Sequence, residues 1–85
     1  MKVGVAQISL CNEIGTNVEK ILSYLKSAAS LGLDFVCFPE CSLTGYRRDF
    51  DTVNWREVAE GLDRLQGAVA SEDIMVAVGT PFTQD

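Results

Sequence analysis

Phe35-Val36-Cys37-Phe38-Pro39-Glu40-Cys41-Ser42-Leu43-Thr44-Gly45-Tyr46 decides how this chain is read. The apolar run that leads into it, Leu33 to Phe38, predicts a buried strand, with Asp34 the only interruption. Pro39 ends the ladder because it has no N–H to donate. Glu40 then stands where the strand stops. Open α/β sheets place their chemistry at the carboxyl ends of their strands. A carboxyl group that is partly desolvated there has a raised pKa and suits proton transfer.

The pattern alternates on either side of this stretch. Val3 to Ile8 predicts a strand covered on both faces, since Val3, Gly4, Val5 and Ala6 are all small or apolar. Ser9 to Gly15 reads as a loop. Thr16-Asn17-Val18-Glu19 fits a capping box, so a helix is expected to start at Thr16. Val18, Ile21, Leu22, Leu25, Ala28 and Ala29 form its apolar stripe, and Gly32 is the expected stop. Residues 41–53 read as a long loop. A second helix is expected from about Asn54, with Glu57 as capping partner and Val58, Leu62, Leu65 and Val69 as its stripe. Gly61 and Gly67 weaken that helix and suggest two pieces. Ile74 to Val78 predicts a third buried strand, broken by Gly79-Thr80-Pro81. The order β-α-β-α-β implies an α/β fold with parallel pairing and helices packed on the sheet.

Composition narrows the function. The chain has 85 residues, 47% hydrophobic and 22% charged, as in a globular domain. A domain of this size buries only about 60–65% of its unfolded surface, so its core is marginal. The 12 acidic residues outnumber the 7 basic ones, and the net charge of −5 argues against nucleic acid. Arg47-Arg48 is followed by Asp49 and Asp51 and makes no basic patch. No apolar run approaches the length of a membrane span. Met1 to Gln7 lacks the features of a signal peptide. The 3 cysteines have no disulfide-framework spacing, which points to reduced thiols and the cytoplasm. With no histidine and no second cysteine pair, a metal site is not expected. No G-x-G-x-x-G or P-loop follows the first strand, so a flavodoxin-like or nucleotide-binding reading is the weakest of those considered.

The run Pro39-Glu40-Cys41-Ser42-Leu43-Thr44-Gly45-Tyr46, in its strand-helix-strand setting, resembles the first catalytic motif of the nitrilase superfamily, the carbon–nitrogen hydrolases. Val5-Ala6-Gln7 resembles that family's opening strand, Asn17 stands at the head of the first helix as an Asn often does there, and Ile74 to Gly79 resembles the strand after the second helix. The resemblance covers essentially the whole chain, but only the opening portion of a family domain. It implies a four-layer αββα sandwich, of which residues 1–85 would be the N-terminal β-α-β-α-β part, and often a homo-oligomer when complete. It further implies hydrolysis of a non-peptide C–N bond in a small-molecule amide, nitrile or carbamoyl substrate, with no cofactor, through a Glu-Lys-Cys triad. The Glu maps onto Glu40, and Tyr46 onto a residue close to the substrate pocket.

The other two members of the triad belong to segments downstream of the Glu motif. Lys2, Lys20 and Lys26 all precede Glu40 and match neither segment. Cys41 adjoins Glu40, but neighbouring side chains of an extended segment point apart. Cys37 lies inside a strand, where a small buried hydrophobe is the ordinary role. Cys11 sits in a loop with no nearby base. Two expectations follow. The chain is either the first part of a hydrolase or a catalytically inactive remnant that packs or binds. In both cases three strands and two helices alone would leave one sheet face uncovered.

Overall fold

Three short parallel strands alternate with two long helices in the computed structural model, which describes residues 1–9, 11–39, 42–45 and 53–80. The elements are β1 (Val3–Val5), α1 (Ile14–Ser30), β2 (Phe35–Cys37), α2 (Trp55–Glu72) and β3 (Met75–Ala77). The sheet order is β1-β2-β3, with Val3 opposite Phe35 and Phe35 opposite Met75. The α/β class and the β-α-β-α-β order are those the sequence predicts. The strands are shorter than expected, but pairing runs on past them. The Ala6 N–H donates to the Cys37 carbonyl and the Phe38 N–H to the Ala77 carbonyl, each at 2.9 Å. No helix among the described residues is long and apolar enough to cross a membrane.

Both crossovers step in the same direction along the sheet. Connections of one hand then place both helices on one face. Alternate strand residues go to that face: Val36 is buried and Val76 half-buried, packed with Ile21, Leu25, Val58, Leu65 and Ile74. Full burial of Ile21 and Leu25 stabilises the fold by about 1.5–3 kcal/mol each. The opposite face is open. Val3, Val5 and Met75 are 58%, 76% and 51% exposed. The expectation that β1 is covered on both faces therefore fails in this chain, because nothing among the described residues lies over its second face.

The start of α1 also differs from the sequence reading. The helix begins at Ile14, with Glu13 as its extended N-cap and no side-chain cap bond. Ile14 is buried and lengthens the stripe by one turn, to Ile14, Val18, Ile21, Leu25 and Ala28. Burial of that isoleucine outweighs the capping box, which is worth only about 1 kcal/mol. The Thr16 hydroxyl instead donates to the Glu13 carboxylate at 2.8 Å, and Glu19 pairs with Arg64 of α2. The stop is as expected. Gly32 has φ +77°; its N–H donates to Ala29, and the Leu33 N–H donates to Ala28, the two bonds of a Schellman closure.

α2 starts as expected. The Asn54 side chain accepts from the Arg56 and Glu57 N–H groups at 3.1 and 3.3 Å. It is one continuous helix rather than two pieces. Gly61 is a contact point and not a break: a Cβ there would lie 2.8 Å from Val18 Cγ2 and 3.2 Å from Leu43 Cδ2. The glycine lets α2 approach α1, and that packing outweighs its low helix propensity. The stripe turns accordingly. Gly61 and Leu65 are buried, whereas the expected stripe residue Leu62 is 39% exposed.

Asp34 has a structural use the sequence did not disclose. Its carboxylate accepts from the Lys2 N–H at 2.8 Å, and its own N–H donates to the Lys2 carbonyl at 2.8 Å. The residue stitches β1 to β2 at the amino end of the sheet.

Candidate active site

The carboxyl ends of β1, β2 and β3 lie at one end of the sheet because all three strands are parallel. The Pro39-Glu40 motif leaves from β2, the central strand. Glu40, Cys41 and Tyr46 lie outside the described residues, as does the Arg47-Arg48 pair. Pro39 before Glu40 and the turn from Ser42 after it are described, and both are held.

On the amino side, Phe38 is buried in the core and its N–H is fixed to β3. Pro39 is half-buried, and its carbonyl accepts from the Ser42 hydroxyl. On the carboxyl side, Ser42, Leu43 and Thr44 are each 0% exposed. The Ser42 N–H donates to the Gly79 carbonyl, just past β3, at 2.9 Å. Burial of two hydroxyl residues, one on either side of Leu43, is tolerated because both are hydrogen-bonded.

Asn17 completes the frame. It is 0% exposed, on the first turn of α1. Its Nδ2 donates to the Cys11 carbonyl at 2.7 Å and to the Leu43 carbonyl at 2.8 Å, and its Oδ1 accepts from the Cys11 N–H at 3.0 Å. One side chain therefore joins the segment after β1 to the turn after β2. Gly45 closes the same junction. Its φ is +75°, and a Cβ there would collide with the Cys11 carbonyl oxygen.

The remaining candidates stand elsewhere. Cys37 is on β2 and half-buried, on the open face with Val5 and Ala77 rather than in the core. The expectation of a small buried core residue does not hold for it here, because strand parity turns it away from the helices. The Cys11 thiol faces Asn17 Oδ1 and the Glu13 carbonyl, neither of which takes a proton at neutral pH. Lys20 extends to the Ser9 carbonyl at 2.7 Å, and Lys26 is exposed on α1. A cleft of about 310 Å³ runs between β1 and α1, lined by Val5, Ala6, Tyr24, Leu31 and Leu33. No residue from Pro39 onward lines it and, apart from the Tyr24 phenol, nothing ionisable does. Among the described residues, no group of three or more His, Cys, Asp or Glu side chains is placed to hold a metal ion.

Sequence reasoning passed over the buried Ser42 and Thr44 and the junction made by Asn17. A signal for Asn17 was present. Residues 14, 17, 18 and 21 share one helix face, so Asn17 lies in the apolar stripe, where a polar side chain must find partners.

No curated protein matches the chain closely enough to count as a relative. The Carbon-nitrogen hydrolase family matches residues 2–84, which takes in every strand, both helices and the Glu40 motif. With nearly the whole sequence accounted for by that one match, the chain belongs to the carbon–nitrogen hydrolase family, the nitrilase superfamily.

Proposed function

We propose that this chain supplies the general base of a hydrolase that cleaves a non-peptide C–N bond in a small amide, nitrile or carbamoyl substrate. Glu40 is that base, and Tyr46 lies against the substrate. The lysine and the nucleophilic cysteine come from sequence that follows the Glu40 motif beyond these residues. The observation that carries this reading is the anchoring of both flanks of Glu40, at Pro39 and at Ser42-Leu43, at the carboxyl end of a parallel sheet.

For an amide the chemistry runs as follows. Glu40 takes the thiol proton, and the thiolate sulfur bonds to the carbonyl carbon. The lysine stabilises the negative oxygen of the tetrahedral intermediate. Glu40 returns the proton to the nitrogen as the C–N bond breaks, leaving a thioester. A water then gives its proton to Glu40 as its oxygen attacks the thioester. The acid is released and the thiol recovers its proton. No cofactor takes part. The cysteine content favours a reducing compartment, the cytoplasm, and the complete protein assembles as a homo-oligomer.

The test is release of ammonia from a panel of amides, nitriles and N-carbamoyl compounds by the intact polypeptide that carries this sequence. Glu40→Gln is expected to lower kcat by about 10²–10⁴-fold, the usual range for loss of a general base, with an unchanged circular dichroism spectrum. Retention of most of the turnover removes Glu40 from the mechanism. The rival reading is a remnant that packs or binds without turnover. It is favoured by the positions of Lys2, Lys20 and Lys26, none of which matches the family's catalytic lysine. A reading frame that continues through a lysine motif and a cysteine-bearing strand-to-helix turn decides for the enzyme; an immediate stop decides for the remnant.

A further inference from the structure

We infer that Asn17 is a positioning residue for Glu40, acting through its bond to the Leu43 carbonyl; the inference rests on the reading of Glu40 as the general base. The amide is fully used. Two N–H groups go to two carbonyls, Cys11 and Leu43, and the oxygen receives the Cys11 N–H and faces the Cys11 thiol at 3.5 Å. No other side chain reproduces this set. Aspartate lacks both donors, serine is too short, and glutamine displaces the amide by a methylene.

The bond to Leu43 spans 26 residues and ends three positions after Glu40. Pro39, one position before Glu40, is tied to Ser42, and Ser42 to Gly79. Glu40 is thus bracketed in sequence by Phe38, whose N–H is fixed to β3, and by Ser42 and Leu43, whose backbones are fixed to Gly79 and to α1. Without Asn17, the turn at 42–45 keeps its tie to β3 and loses its tie to the helix. A general base needs placement to a fraction of an ångström, and an error of about 1 Å costs on the order of 10²-fold in rate.

The experiment compares three variants of the intact polypeptide: Asn17→Asp, Leu25→Ala and Glu40→Gln. Leu25 is buried in the core but touches neither Cys11 nor Leu43 by any hydrogen bond, so it controls for lost stability. Asn17→Asp is expected to lower kcat by about 10–100-fold with KM within about threefold, and to shift the acidic limb of the kcat/KM profile against pH. Leu25→Ala, matched or lower in Tm, keeps the wild-type kcat and profile. An Asn17→Asp protein whose kcat and pH profile follow those of Leu25→Ala overturns the inference. If Asn17→Asp does not fold, Asn17→Gln, which retains both donor and acceptor, is put through the same comparison. Glu40→Gln separates the two levels. If it is inactive while Asn17 variants behave like Leu25→Ala, only the positioning role falls; if it is active, the general-base reading falls and takes the positioning role with it.

Discussion

The side-chain amide of Asn17 donates to the backbone carbonyl of Leu43 at 2.8 Å, in a place where both residues are wholly shielded from solvent. The first turn of α1 and the turn after β2 are therefore one junction, and Gly45 packs against the Cys11 carbonyl within it.

Gly45→Ala tests that junction without touching a polar group. Alanine at φ +75° costs about 1–2 kcal/mol from backbone strain alone, and the contact with Cys11 adds to it. The expected result in urea denaturation is a loss of at least about 2 kcal/mol. A change below about 0.5 kcal/mol would mean that the 42–45 turn does not sit against Cys11.

The two glycines of α2 should respond in opposite directions to alanine. At Gly61 a Cβ meets Val18 and Leu43, and overpacking outweighs the gain in helix propensity, for a net loss of about 1 kcal/mol. At Gly67 nothing lies within 4 Å, so alanine should stabilise by about 0.5–1 kcal/mol. Differential scanning fluorimetry resolves the signs. The same sign at both positions would contradict the close approach of the helices at Gly61.

The helix starts allow a similar contrast. Asn54→Ala removes a cap that holds two N–H groups and should cost about 1 kcal/mol. Thr16→Ala removes only an exposed bond to Glu13, already inside α1, and should cost less than about 0.5 kcal/mol. A larger loss at Thr16 than at Asn54 would place the start of α1 at Thr16 after all.

Val3, Val5 and Met75 present an apolar face. The 85-residue chain on its own is expected to bind an apolar dye and to associate as its concentration rises. Val5→Lys should lower that association in sedimentation velocity. A monomer that melts sharply at low concentration without binding dye would speak against it.

Much of this architecture was legible. The three apolar runs and two stripes give the β-α-β-α-β order, because burial against one core is a local property of each segment. Asn54 and Gly32 were readable as helix ends because cap chemistry is local too. What escaped depends on contacts between distant segments. The start of α1 is set by burial of Ile14 against the rest of the core, not by the nearby Thr16. Gly61 looks like a breaker until Val18 is seen beside it. Asn17, Asp34 and Ser42 find their partners across 26, 32 and 37 positions, beyond the reach of any short motif. The Pro39-Glu40 run identified the family from the sequence, and the structure adds the supports on either side of it.

The register of the sheet has an experimental use. Val5, Cys37 and Ala77 form one row across the open face, so the face carries a thiol in its central strand. The alkylation rate of Cys37, read peptide by peptide against Cys11 and Cys41, then becomes a built-in footprint. It is fast while the row is bare and slow once another layer of protein lies upon it, and it reports that coverage without any introduced label.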